Sequence, residues 1–342
     1  MKITKLTIAV FFLLLFSNMY AQNDTLYTAT GDMLIGEIKS MSRNVLTFDT
    51  DYADSEFKVE WANVDGLISK ATLQIYTTDG EKFTGNLAYD KTSKRTVQLI
   101  NSDNDRSLTL DEIVEIATLS SSFLDRLYIS IDAGYSLTKA NHLSQLTTNG
   151  RANYNGEKWV LGAGFNNVNT SQDDAEPTTR NEANVDFSRD IYGKAFAFIG
   201  MEFLESSELN LDLRTTSKIG VGYYFFRTNG MFLQGGVGLA NANEKYSGAD
   251  PKTENSFEGL GAVEFDAYDI GDFSFRAKIN AFPSFSNKGR VRINSDVSLK
   301  WDLPMDFYIK ASFIHNYDTQ PIVEGIDKGD FVFQTGIGWE WD

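Results

Sequence analysis

The sequence predicts an all-β protein: a roughly 12-stranded antiparallel transmembrane β-barrel preceded by a small β-repeat domain. Three observations predict it. After Ser122 the apolar residues fall on every second position, as in Leu127, Ile129, Ile131, Ala133 and Tyr135, with Tyr128, Ser130, Asp132 and Gly134 between them. A period of two is the mark of strands with unlike faces. The chain begins with Met1, Lys2, Ile3, Thr4 and Lys5, then an apolar run from Leu6 to Phe16 and the stretch Ser17 to Ala21, the three zones of a secretory signal. Between signal and barrel the sequence repeats itself at an offset of 49 residues, Tyr27 matching Tyr76 and Gly31 matching Gly80.

The amino-terminal run is too short to span a bilayer, and no stretch of about eighteen apolar residues follows it. A helical membrane protein is therefore excluded, and a chain that enters lipid must do so as a closed sheet. We expect cleavage after Ala21, with Met19 an unusually large residue near the cut. The 42% hydrophobic content suits a barrel with a polar lumen as well as a secreted soluble β-protein. The absence of cysteine excludes disulfides, thiolate metal sites and a lipid-modified amino terminus. Loss of Lys2 and Lys5 with the signal takes the formal charge from −16 to −18. So acidic a surface repels phosphate backbones, and no nucleic-acid partner is expected.

Residues 22–119 form the repeat. Tyr27, Gly31, Gly36, Ile38, Val59, Trp61, Val64 and Leu67 correspond to Tyr76, Gly80, Gly85, Leu87, Leu108, Leu110, Ile113 and Ile116. Each half reads as a hairpin followed by two or three short strands. Asp79 with Gly80 suits a tight turn, and Gly36 and Gly85 suggest bends or bulges within strands. Units of this size and strand density resemble SH3-like small barrels, paired here into one domain. Such a domain would serve as a periplasmic spacer or plug, or as an adaptor for a periplasmic protein or peptidoglycan. Asn101, Asp103, Asp105 and Glu112 occupy calcium-loop positions, but Arg106 replaces the needed glycine and the flanks are strands, so a solvated turn is expected.

Residues 123–342 carry twelve expected strands: 123–137, 143–154, 158–168, 181–189, 194–203, 210–226, 231–240, 255–267, 273–285, 290–301, 306–316 and 330–342. Each is long enough to cross a bilayer at a tilt. Connections after even strands are short, as at Asn155 to Glu157 and Arg227 to Gly230, whereas 169–180, 241–254 and 317–329 read as longer polar loops. Short periplasmic turns opposite long outer loops place the repeat domain in the periplasm of a Gram-negative cell, with outer-membrane lipid around the barrel. The 25 Phe, 15 Tyr and 5 Trp, many near strand ends, fit aromatic girdles.

The other face gives the candidate lumen charges: Glu258, Glu264 and Asp266 on the eighth strand, Arg276 and Lys278 on the ninth, Arg290, Arg292, Asp296 and Lys300 on the tenth. An acidic wall beside a basic one would set a transverse field in a narrow pore; otherwise neighbouring strands neutralise each other and fill the lumen. Gly134, Tyr135 and Ser136, Leu211 to Arg214, and Gly220 to Tyr223 resemble the family known as domain of unknown function 481, also described as salt-induced outer membrane proteins. The resemblance spans about residues 125 to 342. It implies a Gram-negative outer-membrane barrel with no established activity, and carries no catalytic or ligand residue with it.

No phosphate loop, zinc-binding HExxH pattern or nucleophile elbow occurs, so no cofactor is expected and the chain reads as a non-enzyme. The alternative is a barrel-rim hydrolase acting on lipid or peptide through His142 or His315, the two histidines, with Ser144 and Asp318 as sequence neighbours.

Overall fold

A computed structural model describes residues 24–100, 105–118, 126–138, 143–156, 158–173, 176–247, 251–322 and 327–341. The expected signal at 1–21, the first calcium-loop positions Asn101 and Asp103, and His142 lie outside them.

The first ten strands are β1 (Asp24–Thr28), β2 (Met33–Ser42), β3 (Val45–Asp49), β4 (Phe57–Glu60), β5 (Val64–Ile68), β6 (Leu73–Thr77), β7 (Lys82–Tyr89), β8 (Thr96–Ile100), β9 (Arg106–Thr109) and β10 (Ile113–Thr118). The repeat reappears in three dimensions. Each half runs four strands, a single 3₁₀ turn (Trp61–Asn63 or Leu110–Glu112) and a fifth strand, and within each half the fifth strand pairs with the first. The opening turns use the same bonds at the same offset: Gly31 donates to the Thr28 carbonyl and Gly80 to that of Thr77. Gly80 has φ +82°, as the Asp79–Gly80 turn requires. Neither Gly36 nor Gly85 marks a bulge. The register shift in β2 falls between Ile38 and Ser40, and Gly36 instead admits the Asp49 carbonyl, which a Cβ there would meet at 1.9 Å.

The two halves share one apolar core. Leu26, Ile38, Phe48, Trp61 and Leu67 of the first pack with Leu73, Ile75, Leu87, Leu108 and Ile116 of the second. They are also stitched by hydrogen bonds, the Trp61 indole N–H donating to the Leu110 carbonyl at 2.9 Å and β10 pairing with β2. Glu112 spends its carboxylate on the backbone N–H and hydroxyl of Thr109, closing a capping box rather than offering a ligand to calcium.

The remaining strands are β11 (Leu127–Thr138), β12 (Leu143–Asn155), β13 (Trp159–Ser171), β14 (Thr178–Tyr192), β15 (Ala195–Ser206), β16 (Leu211–Arg227), β17 (Met231–Tyr246), β18 (Lys252–Ile270), β19 (Phe273–Pro283), β20 (Val291–Asp302), β21 (Phe307–Asp318) and β22 (Gly329–Trp341). All are antiparallel to their neighbours and close into a twelve-stranded barrel, β22 returning to β11. That seam is short: its ladder runs only from Ile129 opposite Trp341 to Ala133 opposite Ile337, whereas β11 and β12 pair along their full length. The polar segments 169–180, 241–254 and 317–329 are shorter as loops than the sequence implied. Strands β13, β14, β17 and β18 continue into them, because Ala242, Glu244 and Tyr246 still face inward while the outer positions Asn241, Asn243 and Lys245 have become polar.

Turns 193–194, 228–230, 271–272 and 303–306 gather at one end of the barrel, and the repeat domain sits against that end. Arg227 reaches Glu115 at 3.2 Å and Lys58 reaches Asp306 at 3.4 Å. The β2–β3 turn presents Arg43 at the mouth, its guanidinium 4.6 Å from the ring centre of Tyr128 and 5.6 Å from that of Tyr268.

Candidate functional site: the barrel lumen

Alternation along each strand divides the wall cleanly. Outward go Ile131, Phe165, Val185, Ile199, Ile219, Val221, Val237, Leu239, Val263, Ile279, Phe313, Phe333 and Ile337, all substantially exposed. A continuous apolar belt of this size on a closed sheet is far beyond the scattered apolar exposure of a soluble surface. Stacked rings lie along it, including Tyr154 with Trp159 and Phe273 with Trp301 near the short-turn end.

Inward go the charges, and they meet in pairs. At the end away from the repeat domain, Arg292 grips Glu258 with two bonds, 2.6 and 3.0 Å, and its guanidinium lies 4.9 Å over the Phe282 ring. Beside it Glu244 holds both Arg214, at 2.5 Å, and Arg290, at 2.8 Å, while Arg290 also bonds Asp318 at 2.6 Å. Arg180 joins Asp330 and Glu182 nearby. Glu244, Glu258, Arg290 and Arg292 are essentially sealed from solvent. Burying such ions is tolerable only because each has a hydrogen-bonded opposite.

Halfway down, Glu264 accepts from Arg276 and, at 3.0 Å, from Gln234, with Asp266 at 3.7 Å from the same arginine. Two strands along the wall, on β16, Lys218 sits between Glu202 at 2.6 Å and Asp186 at 2.9 Å. Nearest the repeat domain, Lys300 bonds Glu340 at 2.5 Å and Asp302 at 2.9 Å, and Asp132 accepts from Tyr308, Lys310 and Asn149.

Glu258, Glu264, Asp266, Arg276, Arg290, Arg292 and Lys300 thus all project inward and all lie in ion pairs, and Lys278 projects inward without one. The acidic and basic walls do not stand apart as separate fields; they neutralise each other strand by strand and fill both ends of the lumen. A cavity of about 400 Å³ remains between, lined among others by Arg151, Asn184, Lys218, Glu264, Lys278 and Asn316. Sequence reasoning overlooked Asp132, Arg151, Arg180, Asp186, Glu202, Arg214, Lys218, Glu244 and Glu340. Their inward parity on their strands was the available signal.

His315 belongs elsewhere. It lies on the outward face of β21, its ring stacked between Phe313 and Tyr317. Asp318 is three positions on, an odd step that puts it on the inner face, where Arg290 holds it. The two therefore cannot form a base and its orienting acid. Among the described residues no cluster of potential metal ligands occurs.

A search of the curated proteins finds no match. Among solved structures the chain is similar to the NanC porin, with 10% identity over 62% of this chain and 98% of that one and a TM-score of 0.39. It is also similar to the β-domain of the Bordetella autotransporter BrkA, with 9% identity, 63% and 97% coverage and a TM-score of 0.33. A porin refined at 1.8 Å gives 9% identity, 79% and 98% coverage and a TM-score of 0.29. The model of the family described as "Protein of unknown function, DUF481" matches residues 131–341, nearly the whole barrel and more than half of the chain, and the chain belongs to that family.

Proposed function

We propose that the protein is a non-enzymatic barrel of the Gram-negative outer membrane whose repeat domain sits in the periplasm and whose lumen is a narrow, normally closed passage. The observation that carries this reading is the contrast between the two faces of one closed sheet: an unbroken apolar belt outside and hydrogen-bonded charge inside. Lipid is the solvent that makes the first favourable, and ring closure gives every strand a partner on both sides. The short turns at the repeat-domain end favour a periplasmic position for that end.

The passage is narrow because paired charged side chains from nearby strands project into it and fill both of its ends. The Arg290 cluster constricts the end with long loops, and the Arg43 turn, wedged against Tyr128 and Tyr268, covers the other. The repeat domain, whose five-strand halves with a 3₁₀ turn before the last strand support an SH3-like assignment, acts as lid and adaptor toward a periplasmic protein or peptidoglycan.

Two measurements test the reading. The purified chain should require detergent or lipid to stay monomeric and should shift on a gel when boiled; a folded, monomeric protein in detergent-free buffer rules out the membrane assignment. In planar bilayers it should conduct weakly, and a silent membrane at high salt, both for the wild type and after loosening the lid with Arg43→Ala, rules out the passage.

A further inference from the structure

The central cavity holds more binding capacity than its own residues use. Its acids are mostly committed: Asp186 and Glu202 to Lys218, Glu264 to Arg276 and Gln234, Glu182 to Arg180. Two of its cations are not. Arg151 on β12 and Lys278 on β19, from nearly opposite walls, form no hydrogen bond or ion pair with any described residue, and Lys278 stands across from Asp296 in the strand register without bonding it. One inward step from Lys278, Asn280, Asn294 and Asn316 face one another on adjoining strands. Asn316 is only 9% exposed, and its amide Nδ2 has no partner among the described residues. A buried donor left unmet costs free energy, and a cation with acids in the same cavity but bonded to none of them keeps its own donors free for a ligand. The cavity's volume lies within the range of small-molecule sites.

We infer that this cavity binds one small oxyanion, a carboxylate or a phosphate, held between Arg151 and Lys278 with the Asn316 amide as a further donor. The guanidinium fork supplies paired, charge-assisted bonds to two oxygens, and the lysine supplies a point charge from the other side. The site deepens the passage proposed above by naming the class of solute that pauses there. It depends on the folded lumen and not on conduction, so a silent bilayer would leave it standing.

Calorimetric titration of the full chain in detergent, with inorganic phosphate in one arm and succinate in the other at matched ionic strength, tests the inference. Saturable binding is expected in at least one arm. Phosphate alone identifies a phosphate site, and succinate a carboxylate site. The double variant R151Q/K278Q should bind about tenfold more weakly or worse, given what charge-assisted bonds contribute. Asp296→Asn, which removes the cavity's uncommitted acid, should bind more tightly, and it keeps the test decisive should the double variant fail to give a heat-modifiable barrel. No saturable binding in either arm, wild-type affinity in a folded double variant, or unchanged affinity in Asp296→Asn overturns the inference.

Discussion

Asp24 shows how a single residue can be both costly and necessary. Its carboxylate is fully buried and accepts the backbone N–H of Ile38 at 3.0 Å and of Lys70 at 2.8 Å, one on each oxygen. Burial pushes its pKa above the usual 3.8 despite those bonds. A raised carboxyl holds its proton more tightly folded than unfolded, so this group's contribution to stability falls as pH rises from about 3.8 through the raised value and is flat above it. Asp24→Asn abolishes that slope but leaves one acceptor oxygen for two N–H groups, and should lower the repeat domain's stability at neutral pH by about 1–3 kcal/mol in urea unfolding of the full chain. Trp61 makes the complementary case. Trp61→Phe keeps the apolar bulk and orphans the buried Leu110 carbonyl, at a cost of about 1–3 kcal/mol in the same assay. The sequence showed Trp61 and Leu110 as repeat equivalents, but not that one bonds the other, since a hydrogen bond between matched positions leaves no trace in a pattern of hydrophobicity.

At the scale of the strand, alternation was the readable part. Parity along β11 and β22 assigns every side chain to a face, because a pleat repeats every two residues whatever the tertiary contacts. Strand ends were harder to read: above the apolar belt of β17 the outer residues turn polar while pairing continues to Tyr246, so hydropathy falls before the strand does. The belt makes a direct prediction. Val237→Arg, at an exposed outward position midway along β17, should destabilise the barrel in lipid vesicles by about 2–4 kcal/mol, read by refolding and urea titration. An equal change at a soluble surface position costs little, so a near-zero effect would argue against lipid contact. His315→Ala should leave folding and any bilayer current unchanged, because the ring only stacks on its outward neighbours.

For the whole molecule, the question is how the repeat domain and the barrel act on each other. Arg43, Glu115 and Lys58 reach the barrel from separate strands or turns, and exposed ion pairs such as Lys58–Asp306 contribute little each. The repeat domain is therefore held to the barrel by several weak contacts, and under the proposed lid role Arg43→Ala should raise single-channel conductance while leaving the boiled-gel shift intact. High salt should act in the same direction by screening the outer pairs. The inward charges of β18, β19 and β20 could be picked from sequence because their strands are dense in ionic residues. Arg151, Lys218 and Asp132 stand singly among small residues: Arg151 bonds no described residue, Lys218 takes its acids from β14 and β15, and Asp132 takes Tyr308 and Lys310 from the far end of the chain, so only the closed ring reveals what they face.

The brief ladder between β11 and β22 carries one more consequence. Beyond Ala133 and Ile337 the two strands run on without formal pairing, so this stave joint of the cask is only half glued. Amides of that stretch should trade hydrogen for deuterium ahead of those in the fully laddered joint between β11 and β12, and a sideways parting of the wall would find little to resist it there.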